Sequence, residues 1–168
     1  ATSIIAYLPV KKGGQWTKAY LNGGTNPPNG AIVQYHLASP AEALTLDILD
    51  GSGAVIRTYP HDALPSAAGS HRFIWDMRHS GATKLEADDL NVWQREVGPL
   101  VLPGTYTVRV RMGAHALTRQ VEILRDPRID ASDNDLRAQH DLLLAIRDRL
   151  TDTNRAIARI RTVRGQVS

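Results

Sequence analysis

Apolar and polar positions alternate with a period of two along the first three quarters of the chain, and with a helical period after it. In AIVQYHL, the set Val33, Tyr35 and Leu37 shares one face. ALTLDIL puts Leu44, Leu46 and Ile48 inward, with Thr45 and Asp47 outward. The turn DGSG, Asp50 to Gly53, then leads into AVIRTY as a hairpin, because Gly tolerates positive φ. HRFIWD aligns Phe73 with Trp75, and TYTVRVRM aligns Tyr106, Val108 and Val110 against an outer row of Arg109 and Arg111. HALTRQVEIL predicts a returning strand with Leu117, Val121 and Ile123 inward, and SIIAYL predicts an edge strand near the start. Short strands with turn punctuation and no intervening helix predict an antiparallel β-sandwich of immunoglobulin or fibronectin type III kind over residues 1–126.

Two connections read as long loops, Pro9 to Gly30 and Met77 to Pro103. In the first, NPPNGA holds two prolines that withhold backbone donors, followed by Asn29-Gly30, which bends the chain into a strand. That combination predicts a rigid entry to the sandwich and not a binding loop. At the end of the second, PGTYTV places Tyr106 where its hydroxyl can return to a loop carbonyl as a tyrosine corner.

Residues 127–168 form a C-terminal helical extension. Pro127 ends the strand before it, and Ser132 with Asp135 makes a capping box. Leu136, Leu143, Leu150 and Ile157 recur every seven residues, with Ile146 and Ile160 beside that seam. A helix over 133–163 would run on the order of 45 Å, against a sandwich radius of roughly 14 Å. The helix is therefore expected to be too long for its own domain to cover. Its seam calls for an association partner, either a homo-oligomer or a helix from sequence beyond Ser168.

Composition narrows the function classes. An apolar share of 42% with mixed charge belongs to a globular protein. The net charge of +3 and pI near 9.4 reflect a small Arg excess. No basic face interleaved with aromatics precedes residue 137, which argues against nucleic acid. There is no cysteine, so thiol catalysis, disulfides and thiolate metal sites are excluded. No run is long and apolar enough for a membrane span. No signal peptide is visible, and a first residue other than Met suggests a processed chain or a fragment.

The residues also carry a family resemblance. GTNPPNGAIVQYHL, LTLDILDGSGAVIRT, HRFIWDMRH, GPLVLPGTYTVRV and DPRID followed by a helix stand in that order. The series resembles the C-terminal region of bacterial secreted proteins with a sialidase-type or sortilin-like β-propeller, described as glycosyl hydrolases. The core DGSGAVIR, FIWD and LPGTYTV is also similar to the Ig-like domain of the flagellar hook-capping protein. The first likeness implies an accessory module beside a propeller domain of the same parent chain, in the periplasm or outside the cell. It brings no catalytic residue and no cofactor onto this segment.

Candidate chemistry is sparse. The six histidines show no metal-ligand spacing, and surface or loop placement is expected for them. DASDND, Asp130 to Asp135, has the oxygen content of a calcium loop but lacks its central Gly and final Glu, so a helix cap explains it better. Asp76 could share acid–base work with Glu86, Asp88 or Asp89. The simpler reading has it accept loop amides and close a turn. Trp16, Tyr20 and Trp93 are the aromatics in the long connections, and as a carbohydrate-binding module the chain would stack sugar rings on them. The competing reading packs them on the sandwich or a neighbouring domain. The expectation carried forward is a non-enzymatic Ig-like module that associates through its helix, with glycan binding as the alternative.

Overall fold

The computed structural model describes residues 7–12, 15–20, 28–85 and 97–167, with residues 7–20 described by backbone alone. The strands are β1 (Tyr7–Lys12), β2 (Gln15–Tyr20), β3 (Ala31–Leu37), β4 (Leu44–Leu49), β5 (Val55–Tyr59), β6 (Gly69–Trp75), β7 (Gly104–Met112) and β8 (His115–Ile123), followed by the helix α1 (Asp133–Val167). Pairing is antiparallel throughout. β3 pairs with β6, and a four-stranded sheet runs in the order β5-β4-β7-β8. Together they form the expected sandwich, with β1 and β2 as a separate hairpin.

Alternation decides the core. Leu44, Leu46 and Ile48 of the central strand β4 are fully buried, and Tyr106 and Val108 of β7 join them. From the facing pair, Leu37 and Trp75 are buried, with Val33, Tyr35 and Phe73 packed against the same cluster. Trp75 anchors the cluster with its ring edge-on to Tyr106 at 5.5 Å. Its indole N–H donates to the Arg78 carbonyl at 3.1 Å, so a large apolar body is buried without an unsatisfied donor. The Tyr106 hydroxyl donates to the Leu102 carbonyl at 2.8 Å, which is the tyrosine corner.

Turn chemistry follows the residues. Asp50 accepts from the Ser52 and Ala54 amides and from the Ser52 hydroxyl, while Gly53 takes φ +86. Those hydrogen bonds, led by the one from Ser52, hold the Asp50 carboxyl below its ordinary range. At Gly30 the requirement is a close approach. A Cβ there would stand 2.3 Å from the Trp75 carbonyl oxygen, because Ala31 is registered opposite Trp75. The segment before β3 therefore enters the sheet where a side chain has no room.

Three expectations are corrected. Leu117 is 73% exposed, because the facing sheet has two strands and does not reach the far half of β8. The early edge strand instead pairs as β1 with β2, in register Lys12 to Gln15 and Tyr7 to Tyr20. The connection from Pro9 to Gly30 thus holds strand over Pro9 to Lys12 and Gln15 to Tyr20, and residues 21–27 lie outside the described residues. Gly13-Gly14 between two six-residue runs is the sequence signal for that hairpin.

Outside the core lies a polar clasp. Asp47, on the outward row of β4, is 1% exposed. It accepts from the Thr58 hydroxyl at 2.8 Å and from Arg109 at 2.9 Å, with Arg111 at 3.0 Å. Burial raises the cost of its charge, yet these donors outweigh it and its carboxyl titrates below the ordinary value. Three strands are tied across one carboxylate.

Candidate functional site

The helix begins at the cap read from the sequence. The Asp135 amide donates to the Ser132 hydroxyl at 3.2 Å, and the Ser132 amide donates to the Asp135 carboxylate at 3.1 Å. The hydroxyl also donates to that carboxylate, and this bond first, with the one from the Ser132 amide, keeps Asp135 ionised to lower pH than usual. DASDND is a cap. No cluster of three metal-ligating side chains occurs among the described residues. Arg125 fastens this end by pairing with Asp133 and donating to the carbonyls of Ile129 and Ala131.

At 35 residues, α1 is about 52 Å long, and it docks on its own domain through polar side chains. The covered row is His140, Leu144, Arg147, Thr151 and Asn154, spaced three and four apart on one face. Opposite it runs an extended strip after β6. Met77 leaves β6 with φ +56, and its carbonyl accepts from the Val101 amide at 2.9 Å. The His79 amide donates to Pro99, and Arg78 bridges Leu100. Gly98 sits where a Cβ would meet the His79 carbonyl at 2.1 Å, which lets the two halves of the long connection lie together. Three further backbone groups of the strip are met by the helix. The Thr83 amide donates to the Thr151 hydroxyl at 3.2 Å, the Asn154 amide donates to the Thr83 carbonyl at 2.7 Å, and Arg147 reaches the Ser80 carbonyl.

This docking runs along His140–Asn154, while from Arg155 to Gln166 every residue but Ile157 is exposed, so the domain does not cover the full length of the helix. The docking also separates two stripes. Leu136 and Ile157 of the heptad seam are half-buried. Leu143, Ile146, Leu150 and Ile160 are all exposed, Ile146 at 55% and Ile160 at 67%. Leu142 and Val163 are exposed beside them. Between this stripe and the base of the sandwich runs a groove of about 680 Å³. Leu136, Leu143, Ile146 and Leu150 form its helix wall, and Leu100, Leu124 and Ile129 form the facing wall. The last three are 51%, 76% and 51% exposed. The result is a mainly apolar groove, lined also by Arg125, Asp126 and Gln139, of the kind that marks an interaction site.

The other candidates fall differently. Among the described residues, no loop amide donates to Asp76 to close a turn. Asp76 instead pairs with Arg57 at 3.3 Å, and the same guanidinium donates to the His79 carbonyl and lies 4.8 Å over the Tyr59 ring. Burial, with Asp76 adding to it, pushes the Tyr59 hydroxyl up to about 12. Its acidic candidates Glu86, Asp88 and Asp89, and the aromatic Trp93, lie outside the described residues. Trp16 and Tyr20 lie in β2, at positions of like parity, and their side chains are also outside the description.

Four histidines hold local roles or lie at the surface. His61 accepts from the Leu44 amide, His71 bonds the Ala67 carbonyl, His36 meets Ser70, and His115 is exposed. The other two come together. His79 and His140 meet at the helix seam, Nε2 to Nε2 at 3.0 Å. Burial first, then His140 and Arg147, hold His79 down to about 4. They stand sixty-one residues apart in the chain, and no spacing rule could have joined them.

Comparison with known proteins agrees with this architecture. Residues 23–89, which span β3 to β6, match the family model described as FlgD Ig-like domain. The likeness is to a non-catalytic structural module. It supports the flagellar hook-capping resemblance and does not extend to the propeller one. No curated protein and no solved structure matches the chain.

Proposed function

We propose that this chain is a non-catalytic accessory module of a larger secreted β-propeller protein, working outside the cytoplasm to pack beside the propeller and to associate through α1. The observation that carries the association is the groove between α1 and the base of the sandwich, walled on both sides by exposed Leu and Ile. A monomer leaves such a surface in water at a cost proportional to its apolar area, and a partner removes that cost. The propeller context rests on the motif series from GTNPPNGAIVQYHL to DPRID. The test uses the parent chain with and without residues 127–168. Association should be lost and hydrolytic turnover per folded molecule retained. Association that survives the deletion, or turnover that disappears with it, overturns the proposal.

A carbohydrate-binding role is the second reading. It is favoured by the position of Trp16 and Tyr20 four residues apart in a strand, where an even spacing assigns both to one face. Calorimetric titration with a glycan panel, repeated on Trp16→Ala and Trp93→Ala, tests it. Binding that falls in those variants supports the role, and no heat from any glycan removes it.

A further inference from the structure

We infer that the occupant of the groove is the C-terminal half of α1 from a second copy of this chain, laid antiparallel to the first. The inference rests on the association reading above and adds the partner, the direction and the register. Charge gives the direction. From Asp133 to Asp152 the helix holds five Asp and three Arg, whereas from Asn154 to Val167 it holds Arg155, Arg159, Arg161 and Arg164 with no acid. Parallel copies would stack the four arginines on one another. Antiparallel copies lay them along the half that carries Asp133, Asp135, Asp141 and Asp148.

The apolar stripe gives the register. With the two-fold axis passing between Thr151 and Asp152, Leu143 of one copy stands level with residue 160 of the other, an Ile. In the same register Ile146 meets Ile157 and Leu150 meets Thr153, while Leu142 and Val163, at the flanks, stand level with Arg161 and His140. Leu143, Ile146, Leu150 and Ile160 of the exposed stripe each find an apolar counterpart or a threonine methyl, and the interface is self-complementary as a two-fold contact must be. The geometry of docking leaves room for it. The row from His140 to Asn154 is committed to the strip after β6, and the adjacent stripe is the open one. The second copy's Ile157 and Ile160 would lie where Leu100, Leu124 and Ile129 form the far wall.

Sedimentation equilibrium on the intact chain should return twice the 18.4 kDa chain mass. The chain has no cysteine, so introduced thiols report on pairing without background. Leu143→Cys mixed with Ile160→Cys should give a disulfide-linked dimer under mild oxidation, and neither variant alone should. Ile146→Asp, at an exposed position, should return a single-chain mass with unchanged helix content. A single-chain mass for the unmodified protein with α1 intact overturns the second-copy assignment. Self-crosslinking of either single variant overturns the antiparallel direction, and a dimeric Ile146→Asp overturns the interface. A monomer here, together with helix-dependent association of the parent chain, would leave the accessory-module proposal standing.

Discussion

His79 and His140 face one another across the junction of sandwich and helix, with ring nitrogens 3.0 Å apart. One of the two nitrogens must accept if the other donates, so the contact requires at least one neutral ring. His79 is held down to about 4, below the ordinary 6.5. A group whose folded value is depressed binds more protons when unfolded, so stability rises with pH between the two values. The contribution is complete above about 6.5 and is lost as pH falls toward 4. Hydrogen-exchange protection factors in α1, corrected for the intrinsic pH dependence of amide exchange, should fall between pH 7.5 and 4. His79→Gln should flatten the change.

The bond from Asn154 to the Thr83 carbonyl at 2.7 Å joins helix to strip at a side chain only 6% exposed. Asn154→Ala removes it and leaves the carbonyl without that donor. A loss of about 1 kcal/mol is expected in urea unfolding. Faster exchange in residues 150–158 than in the β4–β7 ladder would identify the loss as one of docking.

Asp47 is the shared acceptor of Thr58, Arg109 and Arg111. Asp47→Ala strips three donors of one partner and should cost about 2–3 kcal/mol. Its depressed carboxyl adds stability above its unfolded value, and that stability is lost as pH falls through the folded one. The variant should therefore differ most from the parent near neutral pH and least in strong acid. Unfolding midpoints at pH 7 and pH 2.5 check both signs.

Two glycines separate space from conformation. At Gly30 a Cβ would collide with the Trp75 carbonyl at 2.3 Å, and at Gly53 it would meet nothing within 4 Å although φ is +86. Gly53→Ala should cost about 1 kcal/mol, from left-handed backbone alone. Gly30→Ala should cost about 3 kcal/mol, since the chain must also move away from β6. Thermal unfolding of the two variants side by side distinguishes the effects.

Much of the sandwich could be read from the residues, because a half-buried strand writes its two faces into alternate positions. Val33 with Tyr35, Phe73 with Trp75 and Tyr106 with Val108 point where alternation puts them. The capping box and tyrosine corner were equally legible, since each links residues three or four apart. The docked face of α1 was not. Leu and Ile at heptad spacing marked the stripe that stays open. The covered row holds His140, Arg147, Thr151 and Asn154, because what it covers is a backbone strip that needs hydrogen-bond partners. Hydrophobic periodicity is blind to such a surface. Leu117 failed for a related reason, as alternation tells which way a strand residue points and not whether anything lies opposite.

The strip Arg78–Leu85 has a consequence for biogenesis. Its amide and carbonyl at Thr83 find their partners on Thr151 and Asn154, close to seventy residues later in the chain. A ribosome delivers the strands well before it delivers those side chains, at roughly 5–20 residues per second. For several seconds the nascent sandwich would hold its core yet lack the element that finishes its border. A translational pause or premature stop before Thr151 would leave a β domain with that border raw. Quality-control proteases and holdase chaperones would meet the chain there first.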